Sequence, residues 1–226
     1  MNRVLVAIVS CGKNKQRRDW QRQTWLPELK FDYKFFVGKG ASTEADVVEL
    51  DCGDDYKSLP DKTLAVIRWA REHGYTNLLK LDDDVYCRPE RLHPPIFDYV
   101  GNTCTHKHYV SGAAYWLSAR AMDACLTKWY RRSNAEDACV GDTLQQHNIY
   151  PIDDKRYRIG WSGRRDSEGE FPHPDNNVIT FHMYWASFMP EMHANWDKNK
   201  QVVDLKSNYH FLQKEIEKKN PWSPRW

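Results

Sequence analysis

The segment Lys80-Leu-Asp82-Asp83-Asp84-Val-Tyr sets three consecutive carboxylates at the end of an apolar run, Asn77-Leu-Leu-Lys-Leu. Adjacent like charges repel, and a bound divalent cation removes that penalty. Carboxylate oxygens suit Mg²⁺ or Mn²⁺. In an extended segment alternate side chains share a face, so Asp82 and Asp84 are expected in one site with Asp83 pointing elsewhere. Taken alone, the triplet also reads as a solvated acidic turn. A second acidic pair, Glu136-Asp137, stands at the start of a helical stretch. A carboxylate there could take a proton from an attacking hydroxyl, although the helix dipole by itself favours acids at that position.

These groups need elements to hold them. Arg3 to Ser10 is a continuous apolar, β-branched run, the pattern of a strand covered on both faces. A helix is expected over residues 17–29, ended or kinked by Pro27, followed by short strands at 33–37 and 46–50. The apolar stripe Leu64, Ile67, Trp69–Ala70 predicts a helix over 60–72, with Gly74 just beyond it. After the acidic strand come expected helices at 89–100, 119–130 and 136–147, and a strand pair around 109–117. The stretch 162–177 reads as a long loop, 178–183 as a strand and 209–219 as a terminal helix. Alternating strands and helices predict an α/β fold with a mostly parallel central sheet flanked by helices.

Composition narrows the function. A chain of 226 residues, 41% hydrophobic and 28% charged, fits one domain with a buried core. The mean hydropathy of −0.80 argues against a membrane protein, and no apolar run has the roughly 20 residues a span needs. The formal charge of +2 selects neither nucleic acid nor an anionic membrane. Six cysteines without a C-x-x-C pair match no zinc site or disulfide scaffold, and are expected reduced, in a cytoplasm.

Further blocks surround the two acidic sites. They are Arg17-Arg18-x-x-x-Arg22-x-Thr24-Trp25, Asp54-x-Tyr56-x-x-Leu59-x-x-Lys62-Thr63, Ser111-Gly112-x-x-Tyr115-x-x-Ser118 and Glu136-Asp137-Ala138-x-x-Gly141. With Lys80-x-Asp-Asp-Asp, this ordered set resembles the β-1,3-galactosyltransferase/Fringe family of inverting glycosyltransferases, over roughly residues 4–184. The chain departs from its pattern in having Asp55 where Ser is usual and Ala138 where Val is usual. The family's animal members carry a membrane anchor and stem, and this chain is expected to carry neither.

The resemblance implies a GT-A fold, Rossmann-like and nucleotide-sugar-binding, with a donor half over 1–100, an acceptor half over 101–185 and a helical tail over 186–226. It implies a UDP-sugar donor and a divalent ion, usually Mn²⁺. Asp84 would then coordinate the metal, joined by His182; Asp82 would lie near the metal and the donor ribose, and Asp83 would act from behind. Asp137 would be the general base, with Glu136 orienting it or touching acceptor. Ser10, Arg18, Arg22 and Lys80 are expected on the donor side, although Arg18 and Arg22 also read as helix-surface charges, and Lys80 as the partner of a local carboxylate. Gly112, Tyr115 and Trp161 are expected on the acceptor side, and Trp25 in the core. The acceptor is expected to be a saccharide. A hydroxymethylated base in DNA is the alternative, disfavoured by the near-neutral charge because phosphate contacts dominate nucleic-acid affinity. An inactive sugar- or metal-binding module is a third reading.

Overall fold

The computed structural model describes residues 3–40, 44–103, 108–161, 178–183, 186–190 and 192–194. In chain order its elements are β1 (Val4–Val9), α1 (Lys15–Gln23), β2 (Asp32–Val37), β3 (Val47–Glu49), α2 (Leu59–Glu72), β4 (Asn77–Asp82), β5 (Val85–Cys87), β6 (Tyr99–Thr103), β7 (Val110–Ser118), α3 (Ala119–Thr127), α4 (Glu136–Gln146), β8 (Ile152–Asp153), β9 (Tyr157–Trp161) and β10 (Thr180–Met183). Short 3₁₀ turns fill several of the connections.

Seven strands form the central sheet in the order β3-β2-β1-β4-β7-β6-β8. Only β7 runs against its neighbours; the other pairings are parallel. The expected α/β architecture with a mostly parallel sheet is present and is consistent with a GT-A arrangement. β1 shows why it sits centrally. Val4, Val6 and Ile8 enter one core cluster, while Leu5, Ala7 and Val9 enter the other. A strand apolar at every position can be satisfied only between two covered faces.

One face carries α2, α3 and α4, whose Val66, Ile67, Ala121, Met122, Val140 and Leu144 pack on it. The other carries Trp25, Leu26 and a second, three-stranded sheet in the order β5-β10-β9, with Val85, Tyr157 and Phe181 buried there. Local signals set the helix ends. Pro60 and Asp61 occupy the first turn of α2, and Gly74, with φ of 78°, follows its end. The Ser118 side chain caps α3 by accepting from the Ala121 N–H.

Two expectations fail. Residues 89–100 do not form a helix: a single turn at Pro89–Arg91 is followed by β6 from Tyr99. Pro94 and Pro95 interrupt any helical ladder there, and Tyr99–Val100 suit a strand. Residues 109–117 form one strand, β7, instead of a pair; its partners are β4 and β6. The expected loop at 162–177 and terminal helix at 209–219 lie outside the described residues. Cys11, Cys52, Cys87, Cys125 and Cys139 are free thiols; Cys104 lies outside the described residues.

Candidate active site

From β1 the chain builds outward through β2 and β3, then returns to place β4 on the other side of β1. Strand order therefore reverses between β1 and β4. Ligands of open α/β sheets bind beyond the carboxyl ends of strands at such a switch point. Those ends are Ser10–Asn14 after β1 and Asp82–Asp84 at the end of β4.

The β1 end is tied down by a carboxylate from the segment before α2. Asp54 accepts from the Gly12 and Gly38 N–H groups, each at 2.6 Å, and from Lys62 Nζ at 2.6 Å. Lys62, itself buried, also donates to the Ser10 carbonyl at 2.8 Å. Burial alone would raise the Asp54 pKa, but Lys62 and the two N–H groups outweigh it and hold the pKa below the usual carboxylate value. Arg18 is buried and donates to Ser10 Oγ, to the Cys11 carbonyl and to Glu44.

The acidic triplet is not extended throughout: β4 ends at Asp82, and Asp83–Asp84 make the turn into β5. Asp83 points into the β1–α1 loop, accepting from Ser10 Oγ at 2.7 Å and Asn14 Nδ2 at 2.9 Å. Arg17 Nη1 lies 2.9 Å from both Asp83 Oδ1 and Asp84 Oδ2. Gln21, one turn further along α1, donates to the Val85 carbonyl at 3.0 Å. From the other side β10 pairs with β5 so that His182 stands opposite Val85, and the Met183 N–H donates to the Asp84 carbonyl at 2.8 Å. This pairing brings His182 Nε2 to 3.3 Å from Asp84 Oδ1.

That oxygen is buried and has no aligned hydrogen-bond partner among the described residues. Burial disfavours charge on both groups. The contact with His182 and the charge of Arg17 nevertheless lower the Asp84 pKa, and Asp84 with Asp82 raise that of His182. Two donors about 2.1 Å from one octahedral ion, at right angles, would lie about 3 Å apart. The Asp84–His182 spacing therefore fits a shared cation. Among the described residues no three His, Cys, Asp or Glu side chains converge as a complete cage, so donor oxygens or water would have to complete the shell.

A buried cation links this corner to α4. Lys80 Nζ donates to Asp82 Oδ1 at 2.5 Å, to the Gly112 carbonyl at 2.5 Å and to Glu136 Oε1 at 2.8 Å. Burial works against its charge, but Asp82 and Glu136 more than offset that and raise its pKa. Glu136 also accepts from Tyr115 Oη at 2.8 Å and meets Thr63 Oγ1 at 3.5 Å. Burial raises the pKa of both Asp82 and Glu136, against the pull of Lys80. Gly112 admits this crossing: a Cβ there would stand 2.6 Å from Glu136 Oε1. Next to this enclosed glutamate, Asp137 is half-buried, its Oδ2 3.3 Å from the Gly112 N–H and its Oδ1 bonded to the Ala138 N–H.

The structure thus brings Ser10, Asp82, Asp83, Asp84 and His182 together at the switch point, and sets Glu136, Asp137 and Gly112 beside it through Lys80. Other expected roles do not match the geometry. Arg18 and Lys80 are enclosed by protein partners, and Arg22 is held by Asp19, Glu44 and Asp46, so none is presented as a donor-side charge. Tyr115 is buried against Tyr99, not exposed on an acceptor wall. Trp25 is core. Trp161 ends β9, but its side chain lies outside the described residues. Sequence reasoning missed the bracing by Asn14, Arg17, Gln21 and Thr63. The repeated arginines of α1 were the available signal, but spacing cannot say which of the three faces the acids.

Residues 16–105, a span running from α1 through β6, match the family described as Galactosyltransferase. No curated protein matches the chain.

Proposed function

Because the segment from α1 through β6 is that of a galactosyltransferase-type domain and carries the acidic turn, we propose that this glycosyltransferase moves a hexose or N-acetylhexosamine from a UDP-sugar to a saccharide hydroxyl, with inversion and with Mn²⁺ or Mg²⁺ bound. The observation carrying the reading is the approach of Asp84 Oδ1, an oxygen with no aligned hydrogen bond among the described residues, to His182 Nε2 at the sheet's switch point.

Asp84 and His182 would hold the cation, with Asp82 close by. When bound, the ion supplies positive charge against the departing diphosphate. Asp137 is the group left for proton transfer, since Glu136 is enclosed by Lys80, Tyr115 and Thr63. As the acceptor oxygen bonds to the anomeric carbon, the bond from that carbon to the diphosphate oxygen breaks and the hydroxyl proton passes to the Asp137 carboxylate. The Gly112 and Ala138 N–H groups fix that carboxylate, and Lys80 fixes the glutamate beside it.

UDP release across a panel of UDP-sugars, with Mn²⁺ or with EDTA, tests the proposal. Slow metal-dependent release is expected from at least one donor even without acceptor, and Asp84→Asn should abolish it. Release indifferent to EDTA, or retained in that variant, would overturn the metal assignment.

A further inference from the structure

A metal-binding carboxylate on a turn between strands needs something to hold its rotamer, and three neighbouring acids make the need sharper because they repel one another. The structure shows a chain of contacts that meets it. Ser10 Oγ and Asn14 Nδ2 both bond Asp83 Oδ2, which leaves Asp83 Oδ1 to Arg17 Nη1 at 2.9 Å. The same nitrogen lies 2.9 Å from Asp84 Oδ2. Asp84 is thereby held by Arg17 through one oxygen, while the other, Oδ1, faces His182 Nε2 at 3.3 Å and has no aligned hydrogen bond among the described residues. Arg17 is carried by α1, whose Gln21 also grips the turn's backbone at the Val85 carbonyl. Helix, loop and turn are therefore tied together by side-chain contacts.

Resting on the cation site proposed above, we infer that Arg17 is a positioning residue for that site. It fixes Asp84 so that Oδ1 is presented to the ion, and it passes to Asp84 the rigidity of the Ser10–Asn14 loop. Arg17 does not occupy the ligand position, because its nitrogen meets Oδ2 and not Oδ1.

The sign of one measurement separates this role from mere charge balance. Removing a positive charge beside a cation site strengthens cation binding by Coulomb's law. Removing a group that orients a ligand weakens it, typically by about 10–100-fold. Mn²⁺ affinity would be measured from the EPR signal of free Mn²⁺, without donor, for the wild type and for Arg17→Met, Arg17→Gln and Arg17→Lys, with a thermal melt of each. The Met and Gln variants should bind Mn²⁺ about 10–100-fold more weakly, with part of the loss recovered in the Lys variant. UDP release should return towards the wild-type rate at saturating Mn²⁺. If the Met variant does not fold, the Gln variant decides. Unchanged or tighter binding in a folded variant, beside a wild type that binds, would overturn the role of Arg17 alone. A wild type that binds no Mn²⁺ would overturn the cation site and this inference with it.

Discussion

At residue scale the division of labour between Glu136 and Asp137 follows from what each touches. Glu136 has a lysine, a tyrosine and a threonine around it in a buried pocket, so its carboxylate is a fixed strut. Asp137 is half-buried, and among the described residues its hydrogen bonds come from backbone N–H groups. Asp137→Asn should keep Mn²⁺ and UDP binding while transfer falls by about 10²–10⁴-fold, the range of general-base catalysis. Calorimetry with UDP beside a transfer assay checks this, and transfer at the wild-type rate would move the base elsewhere. Both acids and Asp84 could be singled out in the sequence as candidates, and His182 through the resemblance; the structure places Asp84 beside His182 and Glu136 beside Asp137. Arg17 was passed over for Arg18 and Arg22 because the sequence does not show which faces of α1 meet the acidic turn and which meet Glu44.

At the scale of elements, β7 and α4 come closest at Gly112, and Tyr115 of β7 also bonds Glu136 of α4. The Gly112 carbonyl receives Lys80, its N–H points to Asp137, and a side chain there would collide with Glu136. Glu136 cannot swing aside without taking from Lys80 one of its two carboxylate partners. Gly112→Ala should therefore destabilise the protein by about 1–3 kcal/mol, the usual cost of overpacking, and slow transfer. A melting temperature and rate equal to the wild type would show that the crossing is looser than the geometry indicates. Among the elements up to β4, α2 was readable from its apolar stripe with Pro60 and Gly74 at its ends, and β1 and β4 from their apolar runs; α1 was read too far, since it stops at Gln23, before Pro27. The stretch from Pro89 to Ser118 was misread in part, whereas α3 and α4 beyond it stand where they were expected. Pro94 and Pro95 stand within the residues read as a helix, and Tyr99–Val100 reads as helix or strand until β7 is placed beside it. β10 could be read as a strand, but its pairing with β5, which delivers His182, is a tertiary fact with no local signal.

At the scale of the whole molecule, strand order reverses between β1 and β4, and the Asp54–Lys62 pair ties down the chain that follows β1 there. The Asp54 pKa is lower folded than unfolded, so its contribution to stability is complete above the unfolded value of about 3.9 and is lost as pH falls through the folded value. Urea midpoints between pH 6 and pH 2.5, ranges chosen to bracket that carboxylate value of about 3.9, should show Asp54→Asn less stable than the wild type at the upper end. The gap should close as the solution becomes acid; a gap constant across the range would show that Asp54 is not the group responsible. The α/β class and mostly parallel sheet were legible from alternating periods, whereas the order of strands, and so the position of the switch point, needed the folded chain. One cation at the β4–β5 turn, beside β10, is the centre of the proposed activity. Crystals grown with Mn²⁺ and UDP, measured at the manganese absorption edge, should show an anomalous peak between Asp84 Oδ1 and His182 Nε2 in contact with the diphosphate. Bound UDP without a peak there, or with manganese held by other side chains, would contradict it.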